Sequence, residues 1–358
     1  MKGNNKFISK ILFKLLLLRG GCSDYTMMKA IQKDKTEVVK LLLQDKSVAP
    51  SAYVIGKALE KGNVEILKLL LQDKRVDPSA EDNYAIRWAS ANGLAEVVKL
   101  LLKDVRVDPS SVDNCAIKWA SENGHAELVK LLLTDKRVDP SAEDNYAIRC
   151  ASARGHVEVV NLLLKDERVD PSADNNYAIK EASYWGYVEI VKLLLKDKRV
   201  DPSAENNYAI CVAAYCGNLE FVNLLLKDER VDPSADNNYA IKEASYWGYV
   251  EIVKLLLQDG RVKSSICDSI LYSARYNSCI DLDVIKYILS DGRVTLSAAK
   301  MNCLITIVAQ SNNLNLVKVL LSDKRVELFA KDEAINCISA FSRNDDIKFL
   351  LEKCKFDN

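Results

Sequence analysis

The chain has 358 residues, and its 50 Lys and Arg residues are balanced by 50 Asp and Glu residues, so the formal net charge is zero. This balance lacks the basic excess with which proteins neutralise phosphates, and it disfavours nucleic-acid binding. Hydrophobic residues make up 49%, with 13 Gly and 7 Pro, which indicates a folded chain. Only two histidines occur, His125 and His156, so histidine-based catalysis or a histidine-rich metal site has little material. The ten cysteines include no Cys-x-x-Cys pair and are interpreted as reduced thiols, and we predict no cofactor and no metal.

Residues 1–20 are predicted to form an N-terminal capping helix. Lys2, Lys6, Lys10 and Lys14 are four residues apart and share one helical face, with apolar residues between them. The lysines interrupt the apolar stretch, which favours an amphipathic helix over a signal peptide or a membrane-surface helix. No other stretch approaches the roughly 18 apolar residues of a membrane span, so no membrane association is predicted.

A motif then recurs every 31 residues. Asp-Pro begins at positions 77, 108, 139, 170, 201 and 232, and a glycine keeps the same step at positions 93, 124, 155, 186, 217 and 248. A triple-leucine signature extends the pattern outward, so the chain holds about eleven units. A unit of this size cannot cover its own apolar face, and the array therefore predicts a solenoid in which each unit packs on its neighbours. Regular repeats are expected over 21–262, and divergent C-terminal repeats with a cap over 263–358.

One unit, 77–107, predicts two helices. Asp77 and the following proline favour a type I turn, and Asn83 is placed as the N-cap of a helix over 84–92. Gly93 is expected to end that helix in the left-handed conformation. A second helix over 95–103 carries an apolar arc too wide for burial on one side, so it should contact the repeats before and after it.

The second-helix sequences G-H-A-E-L-V-K-L-L-L (124–133) and G-H-V-E-V-V-N-L-L-L (155–164) resemble the ankyrin repeat. The usual T-P-L-H opening of the first helix is replaced by Y-A-I-R or Y-A-I-K, and the unit is 31 rather than about 33 residues long. The resemblance implies an all-α solenoid of helix-turn-helix units with short connecting turns or fingers. The D-x-R-V-D-P-S-A connectors resemble those of ankyrin arrays from amoeba-infecting giant DNA viruses and some protists. That likeness implies protein binding in a host-cell cytoplasm, with the nucleus as an alternative compartment.

In the ankyrin arrangement the first helices and fingers line a concave face, and the two residues before the repeat glycine are usual contact positions. The partner-binding residues implied here are Tyr184, Trp185, Tyr215, Tyr246, Trp247, Asn92, Asn123 and Arg154. The three tyrosines recur at the 31-residue step, which predicts a ladder with a spacing of roughly 10 Å. Tyr, Trp and Arg dominate interface hot spots. The alternative is that these aromatics fill gaps between first helices and were multiplied by duplication, since 160–195 recurs unchanged as 222–257.

Other prominent residues receive structural interpretations. Trp88 and Trp119 are expected in the core between repeats, and the two histidines are expected to cap second helices. Cys211 and Cys216 have neither metal-ligand nor redox spacing and are expected to pack. The charges of the D-x-R-V connectors are expected to be solvated, with ion pairs that contribute at most about 1 kcal/mol each.

These observations predict a non-catalytic, monomeric scaffold that binds one or more unidentified proteins on the concave face of an ankyrin solenoid. A first alternative is a substrate-recruiting adaptor of a ubiquitin ligase, although the N-terminus shows no F-box and the C-terminus no ligase-docking box. A second alternative is an enzyme that depends on His125 or His156. The sequence shows no P-loop, no G-x-S-x-G motif, no kinase signature and no EF-hand loop.

Overall fold

The computed structural model describes residues 23–48, 50–51, 53–262 and 282–290, together with residues 315 and 318. Within these ranges all regular secondary structure is helical. The chain divides into two compact units, Met1–Ala173 and Asp174–Asn358. The capping helix predicted over 1–20 lies outside the described residues, as does most of the region 263–358. The fold class predicted from the repeat, an all-α solenoid of helix-turn-helix units, is confirmed.

The helices of the first unit come in pairs, each a first helix and a second helix joined by a short turn. In chain order they are α1 (Ser23–Gln32), α2 (Thr36–Gln44), α3 (Tyr53–Lys61), α4 (Val64–Gln72), α5 (Ala80–Ala91), α6 (Ala95–Leu101), α7 (Ser111–Glu122), α8 (Ala126–Leu133), α9 (Ala142–Ala153) and α10 (Val157–Leu163).

The second unit continues the same pairs, and its first helix begins at Ala173, the last residue of the first unit. Its helices are α11 (Ala173–Trp185), α12 (Val188–Leu195), α13 (Ala204–Tyr215), α14 (Leu219–Leu226), α15 (Ala235–Tyr246), α16 (Val250–Gln258) and α17 (Leu282–Ser290).

The core lies between successive pairs. In α5 the small and branched side chains of Ile86, Ala89 and Ser90 are buried, and α5 packs closely on α7 of the next repeat. In α6 the side chains of Val97, Val98 and Leu101 are buried. Helix α6 contacts both α4 and α8, which confirms that the wide apolar arc of the second helix faces two neighbours.

The turns follow the predicted chemistry. Asp77 Oδ1 accepts hydrogen bonds from the Ser79 backbone N–H at 2.9 Å and from its hydroxyl at 2.6 Å. These bonds hold the pKa of Asp77 below its ordinary value. Gly93 has φ of +72°, the left-handed conformation expected after a first helix. The second helix ends at Leu101 rather than Lys103, because the Asp104 carboxylate accepts the Arg106 N–H at 3.0 Å and begins the next turn.

The first helices differ from the prediction at their start. Glu81, Asp82 and Asn83 all have positive φ, and the right-handed helix begins only after them. Asn83 is therefore not an N-cap, which requires an extended backbone and a bond to its own helix. Its Oδ1 instead accepts the Asp108 backbone N–H of the following repeat at 2.7 Å. Four further asparagines make the same 2.7 Å bond 25 residues ahead: Asn114, Asn145, Asn176 and Asn207.

The connector arginines are not simply solvated, which corrects the second structural expectation. Arg168 donates two hydrogen bonds to the Asp166 carboxylate, at 2.9 and 2.6 Å, and its Nη1 also donates to the Val138 carbonyl oxygen of the preceding repeat at 2.7 Å. Arg137 and Arg230 bond in the same way to the valine carbonyls 30 residues earlier. Each connector thus clamps one repeat to the one before it, because the guanidinium has enough donors to serve both.

Candidate binding surface

The predicted contact residues of the first unit lie at the carboxyl ends of the first helices, and all three are exposed. Asn92 Nδ2 donates to the Trp88 carbonyl oxygen at 2.8 Å, and Asn123 Nδ2 donates to that of Ala91 at 3.1 Å. Arg154 pairs with the Glu122 carboxylate. These polar side chains are therefore engaged with helix ends and with each other's repeats.

The predicted contact residues of the second unit form exposed aromatic clusters. Tyr184 and Trp185 pack edge-to-face with their ring centroids 5.1 Å apart. Trp247 packs in the same manner on Tyr246, at 5.1 Å, and on Tyr215 of the preceding repeat, at 5.7 Å. Such pairs hold large rings rigidly while leaving part of their surface in water. The printed ring contact between neighbouring repeats runs through Trp247, whereas the tyrosine ladder stays a prediction.

A groove of about 420 Å³ opens beside these clusters in the second unit. It lies across α11, α13 and α15, and its lining combines tyrosine rings, small apolar side chains and acidic groups. The lining residues are Tyr184, Glu205, Asn206, Tyr208, Cys211, Val212, Tyr215, Asp236 and Tyr239. Tyr208 and Tyr239 were not among the predicted site residues, because the N-Y-A-I motif that contains them suggested only the start of a helix.

The floor of the groove is apolar because one repeat departs from its neighbours. Helix α13 carries Cys211 and Val212 where α11 carries Lys180 and Glu181, and α15 also has Lys and Glu at these positions. Both Cys211 and Val212 are buried. Burial raises the pKa of the Cys211 thiol to about 12, and the Asp236 carboxylate adds to this rise. Cys211 is thus a neutral side chain at a position that is basic in both flanking repeats.

A second groove, of about 350 Å³, occurs in the first unit at the same position of the repeat. Gly56 stands there in place of the basic residue, and its backbone lies beside the ring of Tyr84, with Glu81 also in the lining. Both grooves therefore coincide with repeats that lack a lysine or arginine at this position.

The two tryptophans expected in the core are not buried. Trp119 is 37% exposed, and Trp88 is half-buried. Their position, one residue before the buried Ala-Ser pair, faces away from the packed side of the first helix. They add aromatic surface to the first unit, which the expected core role had hidden.

The histidines and cysteines have structural contacts. His125 stands before α8 but makes no capping bond; its Nε2 donates to the Ala91 carbonyl oxygen of the preceding repeat at 3.1 Å. Its ring also lies so close to Gly93 that an added Cβ would come within 2.7 Å. Cys211 packs as expected, whereas Cys216 is exposed, which corrects that part of the prediction. In the described part of the chain, no group of three or more His, Cys, Asp or Glu could hold a metal ion.

A family model described as "Ankyrin repeats (3 copies)" matches residues 26–113, 55–144, 117–206 and 199–266. These overlapping matches run from residue 26 to residue 266 and cover more than half of the chain. Comparison with curated proteins found no match. Within the described ranges, no helix is long and apolar enough to cross a bilayer.

Proposed function

The chain belongs to the ankyrin-repeat family, whose members generally mediate protein–protein interaction, and from that premise we propose that it is a non-catalytic scaffold for a partner protein. The proposed binding face is the one formed by the carboxyl ends of the first helices, the concave face of the family. The contact residues proposed in the second unit are Tyr184, Trp185, Tyr215, Tyr246 and Trp247. In the first unit they are Asn92, Asn123 and Arg154.

One observation carries the proposal, the exposed aromatic cluster beside the groove of α11, α13 and α15. Trp185 and Trp247 are exposed although each is held against a tyrosine ring. Rigid aromatic side chains lose little conformational entropy on binding and bury large areas, which is why they dominate protein interfaces. Contiguous exposed aromatic surface also costs solubility unless a partner covers it.

The test is capture of partner proteins by the full chain and by a variant with Tyr184, Trp185, Tyr246 and Trp247 all changed to Ala. We expect the variant to keep its helical circular dichroism and to lose at least tenfold of the captured partner, because the anchors are removed from an exposed surface. A matched control, Tyr25→Ala with Val105→Ala, removes exposed apolar side chains of the first unit and should retain capture.

Two outcomes would contradict the proposal. A folded quadruple variant that captures the partner normally would exclude the aromatic surface as the binding site. An unfolded quadruple variant, together with a destabilised Trp185→Ala single variant, would support the alternative that these aromatics serve packing.

We also propose that the partner belongs to a host cell, on the basis of the resemblance of the D-x-R-V-D-P-S-A connectors to giant-virus arrays. The expected compartment is the host cytoplasm, with the nucleus as an alternative, and the expected form is a monomer. Capture from amoebal cytosol should exceed capture from an unrelated cytosol, and light scattering should report a mass near 40.0 kDa. The neutral charge supports a protein partner over nucleic acid or membrane, and salt-sensitive retention on DNA would contradict this.

The ubiquitin-ligase adaptor is a finer version of the same proposal. It would add a ligase-binding element in one of the divergent ends, most of which lie outside the described residues. Co-purification of a ligase subunit that is lost on removal of 263–358 or 1–20 would favour it. The enzyme alternative has less support, because both histidines bond to backbone carbonyls of the preceding repeat. A catalytic activity lost in His125→Ala or His156→Ala would revive it.

A further inference from the structure

Two first helices place a lysine in a site built by the next repeat. Lys118 Nζ lies 2.7 Å from the Glu143 carboxylate and 5.8 Å from the ring centroid of Tyr146. Lys180 Nζ lies 2.8 Å from the Glu205 carboxylate and 5.9 Å from the ring centroid of Tyr208. In both cases the acid follows the lysine by 25 residues and the tyrosine by 28. The repeat therefore contains a defined cation site formed by a carboxylate and an aromatic face.

These cation sites are largely shielded from water. The side chains of Lys118 and Lys180 are only 10% and 12% exposed. An ion pair or cation–π contact at a shielded site is stronger than the same contact at an open surface, where water screens the charge. The site is thus one where a cation is favoured over a neutral side chain.

The third copy of the site lacks its lysine. Cys211 stands at the lysine position, while the acid and the tyrosine are present at the same offsets, as Asp236 and Tyr239. In the part of the chain that the structure describes, Asp236 forms no ion pair. The same residues line the groove of about 420 Å³, together with Tyr184, Tyr208 and Val212. The groove therefore occupies the place that a lysine fills in the other repeats.

We propose that this groove binds a lysine or arginine side chain of the partner protein, which supplies the cation that Cys211 does not. The cationic group would pair with the Asp236 carboxylate and lie over the ring of Tyr239. Its aliphatic stem would pack on Val212 and the neighbouring tyrosine rings, since long basic side chains bury their methylenes and keep the charge at a polar group. This inference rests on the proposed protein-binding function and names the anchor of that interaction.

Charge selects this occupant over the others. The groove lining contains two acidic residues, Glu205 and Asp236, and no lysine or arginine. Glu205 is already paired with Lys180, so Asp236 supplies the unmatched charge. An acidic side chain would be repelled by Asp236, and an apolar side chain would desolvate that carboxylate without pairing it. Only a cation gains from both the carboxylate and the aromatic faces.

Four pools of fluorescent heptapeptides with random flanking positions test the proposal on the full chain. The central residue is Lys, Arg, norleucine or Glu, so the pools differ only in the charge and shape of one side chain. Fluorescence anisotropy should show the Lys or Arg pool binding about tenfold more tightly than the norleucine pool, with the Glu pool weakest.

Two variants locate the effect at the groove. Cys211→Lys should fill the site from within and abolish the preference for a basic residue; the variant should fold, because lysine occupies this position at 118, 180 and 242. Asp236→Asn should also abolish the preference, and asparagine suits the left-handed backbone at this position, where φ is +49°. Cys211→Ser is the matched control and should retain it.

Equal binding of the Lys, Arg and norleucine pools would overturn the inference, as would a preference that survives in Cys211→Lys. Neither result would touch the proposed function, which is tested separately by capture of the partner. Loss of capture in the aromatic quadruple variant combined with normal capture by Cys211→Lys would leave a protein-binding surface without a cationic anchor. Loss of capture in both would support the two proposals together.

Discussion

Left-handed backbone precedes the right-handed part of the first helix in each repeat from α5 to α15. Three consecutive residues adopt positive φ there, and the last of the three is always asparagine. Asparagine and aspartate tolerate this conformation better than other residues with a side chain, because their short polar side chains bond locally. Val112 is the exception, a β-branched residue at φ of +52°. The first position is otherwise Glu or Asp, so Val112 is the residue least suited to its backbone.

Replacing Val112 with Asn should stabilise the protein. The change relieves the strain of a β-branched side chain at positive φ, and we expect the free energy of unfolding to rise by about 1 kcal/mol. Urea denaturation followed by circular dichroism measures it. Val105→Asn is the matched control, because Val105 is 94% exposed and its backbone has no positive φ. A fall in stability for Val112→Asn would show that Val112 contributes contacts that outweigh the strain.

Connectors act at the scale of the element, where they join each helix pair to the one before it. Arg168 serves both its own turn, through Asp166, and the preceding repeat, through the Val138 carbonyl. A lysine could not make these bonds simultaneously, since it lacks the planar fork of donors. The valine that follows each of these arginines is buried, so the clamp sits directly beside the core.

Removing one clamp should have a larger effect than removing a neighbouring charge. We expect Arg168→Gln to lower the free energy of unfolding by about 1–2 kcal/mol, because a carbonyl and a carboxylate lose their donor. Lys165→Gln removes the same charge from an exposed side chain three residues away and should change stability by less than about 0.5 kcal/mol. Urea denaturation at neutral pH compares the two. Equal effects would mean that charge, rather than the clamp, matters.

The clamps also predict the acid stability of the array. Hydrogen bonds from arginine hold the pKa values of seven connector aspartates below their ordinary value of 3.8: Asp73, Asp104, Asp135, Asp166, Asp197, Asp228 and Asp259. A lowered pKa means that the stabilisation is complete above the unfolded-state pKa and is lost as the pH falls through the folded-state values.

The free energy of unfolding should therefore be steady above about pH 5 and should fall as the pH drops below about 4. Urea denaturation at a series of pH values from 6 to 2 measures this. In Arg168→Gln one aspartate has lost its donor, so the decrease should be smaller than in the original chain. Stability that is constant down to pH 2 would contradict the assigned role of the carboxylates.

Whole-molecule behaviour should reflect contacts between neighbouring repeats. Each second helix packs on the second helices beside it, and the chain divides into two compact units. In such an array a local defect weakens the repeats that touch it and has little effect on distant ones. Stability is then a property of each neighbourhood rather than of a single core.

A cavity in the second unit should confirm this. Leu225 is completely buried in α14, and Leu225→Ala should cost about 2–5 kcal/mol locally. Hydrogen exchange should increase over 204–258 and remain unchanged over 53–133. The reciprocal variant Leu101→Ala, in α6, should reverse the pattern. Equal loss of protection across both regions in either variant would indicate one cooperative body instead.

Much of the repeat could be predicted because its signals are local. The Asp-Pro turn and the left-handed glycine depend on residues that lie close together in the chain, and both are confirmed. Asn83, Arg168 and Trp119 were misjudged for a common reason. Their side chains serve contacts or surfaces that involve another repeat, 25 to 30 residues away, and a local pattern does not show these.

The identical segments 160–195 and 222–257 separate the two kinds of information most clearly. The sequence by itself determined the period, the helices and the family, because these follow from local backbone chemistry and from apolar spacing. Only the tertiary structure decided the surroundings of each copy: Trp185 is 58% exposed, whereas Trp247 is 48% exposed and packs on Tyr215. It also placed Asp236 and Tyr239 around the position of a missing lysine. In a repeat array, the environment of a side chain is set by the neighbouring repeat as much as by its own.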